Sequence, residues 1–154
     1  MMEKISLIIP CKNEVESLGA VLEEVKDNKF VDDIIVVVDS ETDNSIPITQ
    51  KFNCKLIIQK SKGYGSAIVE GFKNAKNNFG CIYNADHSFD PKYFDELIKV
   101  SKNNDFIFGS RYKGSGGSDD DDIVTFIGNK IFTFISRFVF RIKLSDILYT
   151  YVLC

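Results

Sequence analysis

The sequence predicts an α/β fold, a mostly parallel sheet flanked by helices, on three observations. Short β-branched apolar runs recur along its 154 residues. Amphipathic helical patterns lie between successive runs. Nearly all the unusual chemistry sits in the loops that follow the runs. Strand–helix alternation implies right-handed βαβ crossovers, which leave neighbouring strands parallel. Ligands then bind where the carboxyl ends of the strands open onto loops.

The first strand is expected over 5–9 and stops at Pro10. A helix follows over 15–26, with Leu18, Val21, Leu22 and Val25 on one face and acids elsewhere. The second strand spans 34–38 and stops at Asp39; a short helix over 45–53 carries Pro47 near its start. Strand three lies within 55–59, followed by a helix over 66–76 with Ala67, Val69, Phe72 and Ala75 at mixed helical spacing. Strand four covers 81–83. The next helix, 91–102, has Asp90 as N-cap and Pro91 at its first position, and buries Phe94, Leu97 and Ile98. Strand five spans 105–108. Runs this short and apolar suit strands covered on both faces.

Composition fits one domain. The chain is 44% hydrophobic and 27% charged, and a chain of this length buries roughly 70% of its unfolded surface. The net charge of −3 supplies no basic field, so nucleic acid is not an expected partner. Cys11, Cys54, Cys81 and Cys154 lack CxxC spacing, and with one histidine there is no zinc pattern. The start, MMEKISLIIPCKNE, has no signal-peptide h-region, so a reduced cytoplasmic setting is expected.

Both GxGxxG and GxxxxGK are absent, which removes the two common phosphate-loop fingerprints. In NADHSFDP, Asn84 and Asp86 stand two residues apart at a strand end, where both side chains can point the same way. Such a pair can hold Mg²⁺ or Mn²⁺ bridging a diphosphate; the plainer role for Asp86 and Asp90 is helix capping. Asp39 can accept from a base or ribose, or act as a turn aspartate. In PCKNE, Asn13 is expected to cap the first helix, and Glu14 suits the helix start or a ribose hydroxyl. Lys62-Gly63-Tyr64-Gly65 puts a cation and two flexible residues before a helix, which suits a phosphate or sugar. Arg111 offers forked donors to a phosphate or makes a surface salt bridge. His87, the sole histidine, reads as a loop residue.

Taken together, SLIIPCKNE, IIVVVDSETDNS, KGYGSAIVEGFKNA, CIYNADHSFDP and FIFGSRYKGSGG resemble the family-two glycosyltransferases with the GT-A (Rossmann-like) fold. The branch most resembled is the dolichyl-phosphate mannosyltransferases and their bacterial polyprenyl-phosphate relatives. The resemblance implies transfer of a sugar, with inversion and metal assistance, from a nucleotide-diphosphate sugar to a polyprenyl phosphate or cell-envelope saccharide. It implies a nucleotide-sugar site at Pro10, Cys11, Lys12, Glu14, Asp39, Lys62, Gly63, Gly65, Asn84 and Ala85. It assigns Mg²⁺ or Mn²⁺ to Asp86, Asn84 and Ser88, and catalytic roles to Asp86 and Arg111.

Departures from the family pattern are as informative. The usual Asp-Asp pair after strand two is Val38-Asp39, and the first aspartate of the DxD motif is Asn84. An amide oxygen coordinates without charge, which lowers metal affinity. Asp119–Asp122 replaces the basic stretch often found in dolichyl-type enzymes, and family catalytic domains usually run beyond KLSD. The alternative function is therefore a catalytically impaired nucleotide-sugar-binding module or a partner subunit.

The expected domain layout is a nucleotide-sugar-binding core over 1–114, a mobile acidic loop over 115–122, and an amphipathic helix with a truncated segment over 123–154. The stretch IVTFIGNKIFTFISRFVFRI, 123–142, contains no acid. Ile123, Ile127, Ile131, Phe134, Ile135, Phe138 and Ile142 form one face; Thr125, Asn129, Thr133 and Ser136 oppose them, with Lys130, Arg137 and Arg141 along a border. The helix is either a core-packing helix left exposed by a missing C-terminal partner, or it lies in a membrane interface near a lipid-linked acceptor, peripheral on the cytoplasmic face. It also offers a surface for a homo-oligomer or partner chain.

Overall fold

The computed structural model describes residues 3–112 and 123–154. The expected acidic loop, 115–122, lies outside the described residues.

The strands are β1 (Ile5–Cys11), β2 (Val31–Val38), β3 (Lys55–Ile58), β4 (Phe79–Ile82), β5 (Ile107–Phe108) and β6 (Val152–Leu153), in the sheet order β3-β2-β1-β4-β6-β5. Three pairings are parallel: β1 with β2, β1 with β4 and β2 with β3. At β6, Gly80 and Cys154 exchange both backbone bonds, at 2.7 and 3.0 Å, the signature of an antiparallel pair. The sheet is therefore mixed, with a sixth strand that its two-residue length hid from periodicity.

The helices are α1 (Leu18–Val25), α2 (Ile46–Thr49), α3 (Tyr64–Asn74), α4 (Phe94–Ser101) and α5 (Ile123–Phe140), with a 3-10 turn at Pro91–Tyr93 before α4. Two compact units divide the chain: Met1–Ile107 with Leu153–Cys154, and Phe108–Val152.

In the first unit every residue of β1 is buried, as expected of a strand covered on both faces. Leu18, Val21, Leu22 and Val25 of α1 are fully buried as the spacing predicts. Helix α3 departs from expectation: it buries Ala67 and Gly71 and leaves Val69 exposed. Gly71 is the reason, since a Cβ there would lie 2.2 Å from Ile8 Cγ2. The helix rides against β1 on its smallest residue. Strand β3 is not covered on both faces; it is a sheet edge, with Lys55, Leu56 and Ile58 exposed. A buried polar knot closes the opposite ends of these strands. Asp33 accepts from Ser6 Oγ at 2.7 Å and Lys76 N at 3.0 Å, and pairs with Lys55 at 2.9 Å. Burial pushes its carboxyl up, but these donors outweigh burial and hold it below the usual carboxylate value.

The second unit is built around a buried carboxylate. Asp146, whose side chain is 0% exposed, pairs with Arg111. Helix α5 joins the pair through Asn129, and Asn129 and Thr133 are its buried residues. Its apolar face is outside: Ile123 is 77% exposed and Phe138 80%. By length and composition α5 suffices to cross a membrane, and only 11% of it is buried.

Candidate active site

Strand order reverses about β1, with β2 and β3 on one side and β4 on the other. Loops that leave β1 and β4 at this switch point diverge and open a crevice. The first unit places most of the expected residues there.

Register sets the first contact. Cys11 is the partner of Val38 across β1 and β2, so the next residues, Lys12 and Asp39, emerge side by side. Lys12 Nζ lies 3.0 Å from Asp39 Oδ2. This hydrogen-bonded cation, with Ser40 and the charge of Lys62 further off, holds the Asp39 carboxyl below its usual value. Asp39 is thus an anionic acceptor at neutral pH, flanked by two lysines. Pro10 and Cys11 are buried as the last residues of β1. Burial also pushes the Cys11 thiol up, which keeps it uncharged.

Two expected roles in the β1–α1 loop change. Asn13 does not cap α1, which starts five residues later at Leu18. It adopts a left-handed φ of 56°, its N–H donates to Asp43 Oδ2 at 3.0 Å, and its Oδ1 accepts from Asn44 N. The buried Asp43 also accepts from Ser45 N at 2.8 Å, stitching the loops after β1 and β2 together. Sequence reasoning passed over Asp43 as one more turn former. Glu14 accepts from Ser17 Oγ at 3.1 Å, which favours its helix-start role.

The β4 loop is pinned from beneath. Tyr83 is fully buried and donates through Oη to Phe89 O at 2.9 Å, while Ala85 and Phe89 are buried anchors. That brace presents Asn84, Asp86 and Ser88 on the outer side. Asn84 Oδ1 accepts from Tyr64 Oη at 3.0 Å, Asn84 Nδ2 donates to Ser88 Oγ at 3.0 Å, and Ser88 N donates to Asp86 Oδ1 at 3.0 Å. The three residues assigned to a metal are therefore brought together, with Tyr64 as a member the motif does not announce. Gly63, at φ 107°, turns the chain into α3 and delivers Tyr64; Lys62 and Gly65 flank it, both exposed. Asp90 accepts from Lys92 N at 2.9 Å with Pro91 behind it, the expected cap. His87 has a left-handed φ of 63° and stands 3.8 Å from Glu24.

Among the described residues no three His, Cys, Asp or Glu side chains group as a metal cage. A cage is not what Mg²⁺ or Mn²⁺ needs at a diphosphate: one or two carboxylates plus substrate oxygens suffice. Asp86 supplies one exposed carboxylate, which with substrate oxygens suits such an ion; the Asn84 amide turns its nitrogen to Ser88 and its oxygen to Tyr64.

Arg111 belongs to the second unit. Its Nε and Nη2 donate to Asp146 Oδ2 and Oδ1 at 2.9 and 3.2 Å, and its Cζ lies 5.1 and 5.3 Å from the rings of Tyr112 and Tyr149. It is a half-buried ion-pair arginine, its side chain 17% exposed, on a fully buried carboxylate. Asp146 and Asn129 were not singled out as candidates; Asn129 reads in the sequence as part of a polar stripe.

The profile of glycosyl transferase family 2 matches residues 6–153. A dolichol-phosphate mannosyltransferase of Pyrococcus furiosus is 33% identical over 122 residues, 73% of this chain and 34% of that protein. An uncharacterized glycosyltransferase of Mycobacterium bovis is 27% identical over 115 residues, 74% of this chain and 51% of the relative. The chain thus spans a third to a half of the length of these relatives. Among solved structures, glucosyl-3-phosphoglycerate synthase from Mycobacterium tuberculosis, in complex with Mn²⁺, UDP and phosphoglyceric acid, superposes with a TM-score of 0.74 at 12% identity, over 99% of this chain and 55% of that one. Mannosyl-3-phosphoglycerate synthase from Rubrobacter xylanophilus gives 0.75 at 14% identity, over 99% and 53%. At such identities the likeness speaks for the GT-A fold.

Proposed function

The chain belongs to glycosyl transferase family 2, and from that premise we propose that it transfers a sugar, with inversion, from a nucleotide-diphosphate sugar to a polyprenyl phosphate or a cell-envelope saccharide. The observation that carries this reading is the convergence of Lys12–Asp39 and Tyr64–Asn84–Ser88–Asp86 on the carboxyl ends of β1, β2 and β4.

Asp39 accepts hydrogen bonds from the base or ribose, held in its ionised form by Lys12. Glu14 supports the start of α1 beside it. Lys62 and the glycines of Lys62-Gly63-Tyr64-Gly65 let backbone and cation approach the diphosphate. Asp86, with Asn84 and Ser88, would hold Mg²⁺ or Mn²⁺. When bound, that ion supplies charge stabilisation to the departing diphosphate. Arg111 is assigned to an acceptor or donor phosphate. A phosphate acceptor is already an anionic nucleophile, so the site needs no general base, consistent with His87 lying beside Glu24.

For the acceptor side we infer that α5 lies in a membrane interface. Its exposed apolar face is bordered by Lys130 and Arg137; Arg141, expected on the same border, lies past the helix end with a left-handed φ of 54°. Basic residues beside such a face add electrostatic attraction to anionic lipid. The dolichol-phosphate relative supports a lipid-phosphate acceptor, and a peripheral place on the cytoplasmic side follows from that acceptor.

One observation favours a second reading, a nucleotide-sugar-binding module with weak turnover. The residue in the first DxD position is an amide whose oxygen Tyr64 already engages. The test is transfer of labelled sugar from UDP- and GDP-sugars to a polyprenyl phosphate in vesicles, with wild type, Asp86→Ala and Asn84→Asp. The transferase reading expects turnover by wild type that Asp86→Ala abolishes. Turnover by Asn84→Asp alone would leave the binding module standing, and turnover unaffected by Asp86→Ala would overturn the site.

A further inference from the structure

Asp146 is the one carboxylate among the described residues of the second unit, and it gathers several donors. Its Oδ2 accepts from Arg111 N at 3.2 Å and Arg111 Nε at 2.9 Å; its Oδ1 accepts from Arg111 Nη2 at 3.2 Å and Asn129 Nδ2 at 2.9 Å. Asn129 Nδ2 also reaches Tyr112 Oη at 3.2 Å. Thr133 Oγ1 donates to Asn129 Oδ1 at 3.3 Å and accepts from Ile147 N at 3.3 Å. One partly buried network thus joins the loop after β5, the middle of α5 and the segment around Asp146.

We propose that Asp146 and Asn129 are positioning residues, which fix the guanidinium of Arg111 in one pose toward a phosphate monoester and tie that pose to α5. The inference rests on the reading of Arg111 as a phosphate-facing residue. A forked two-bond hold sets both the plane and the direction of a guanidinium, which one contact does not. The rings of Tyr112 and Tyr149 hold the same group from their faces. A surface arginine would reach a phosphate without any of this. As a bare charge, Asp146 opposes an anionic ligand, because it neutralises Arg111. Its burial against Arg111 is therefore explained by geometry and not by attraction. Asn129 adds the link to the helix: rotating α5 to bury its apolar face would withdraw Asn129 and leave Asp146 one donor short.

Charge and geometry predict opposite signs, and that makes the test. Binding of a short soluble prenyl phosphate, geranyl phosphate, is measured by calorimetry on the whole chain. Arg111→Ala weakens it on the reading of Arg111. Asp146→Asn removes a negative charge, so a charge account expects tighter binding, whereas positioning expects binding about tenfold weaker. Asp146→Glu keeps the charge with a longer arm and is also expected to weaken binding. Neither change should weaken it further when added to Arg111→Ala, since both act through Arg111. Thermal melts check that each variant folds. If the Asp146 variants do not fold, Asn129→Ala carries the test, with weaker binding that vanishes as an effect in Arg111→Ala. Unchanged binding in Arg111→Ala would overturn the reading of Arg111 itself. Weakening in Arg111→Ala with equal or tighter binding in Asp146→Asn would overturn the positioning role alone.

Discussion

The ion pair between Lys12 and Asp39 comes from two residues that each follow the last residue of a strand, aligned because Cys11 and Val38 are partners. Asp39 and the Asn84–Asp86 pair were legible in the sequence for that reason: a polar residue closing an apolar run must stand at the sheet's carboxyl edge. Asp43, Tyr64 and Asp146 were not legible, because their meaning depends on contacts over 20 to 35 positions of sequence. Asp33 makes the residue-scale stability prediction. Its donors, Ser6, Lys76 N and Lys55, hold the folded carboxyl below its ordinary value of 3.8. The stability it supplies is therefore complete above that value and is lost as the pH falls through the lower folded one. Asp33→Asn is expected to cost about 2 kcal/mol at neutral pH and to flatten the acid limb, as read by urea melts across pH. A variant with wild-type stability at pH 7 would remove Asp33 from the account.

At the scale of elements, two helices separate periodicity from placement. Pattern alone gave the extent of α5 to within a couple of residues, yet left open which surroundings its apolar face meets. A hydrophobic stripe reports a shared face; it does not say whether protein or lipid covers that face. In this chain the buried charge of Asp146 recruits Asn129, which Thr133 supports, and these two members of the polar stripe turn inward. Phe138→Glu is accordingly expected to change stability by less than about 0.5 kcal/mol, as at other exposed positions, while it lowers co-sedimentation with anionic vesicles. Equal pelleting of both proteins would contradict the interfacial reading. Helix α3 is the opposite case, placed by a residue whose significance is its lack of a side chain. Gly71→Ala would press a methyl group against Ile8 and should destabilise the fold by about 1–3 kcal/mol, the usual range for overpacking. A thermal melt at the wild-type temperature would show that α3 stands further from β1 than described.

For the molecule as a whole, strand–helix alternation was enough to foresee a sheet with its loops gathered at one edge. The antiparallel return of β6 was not foreseen, because a two-residue strand has no measurable period. What the family shares is the sheet and the crevice at its switch point; what distinguishes this chain is charge. Carboxylates of the family pattern are missing at Val38 and Asn84. The crevice is expected to hold a nucleoside diphosphate with a divalent ion on Asp86. Calorimetric titration of the protein with UDP and with GDP, each with and without Mn²⁺, tests that most directly. The account predicts binding of one nucleotide, strengthened by Mn²⁺, with the Mn²⁺ effect gone in Asp86→Ala. Binding of neither nucleotide under either condition, or a Mn²⁺ effect that survives Asp86→Ala, would contradict it.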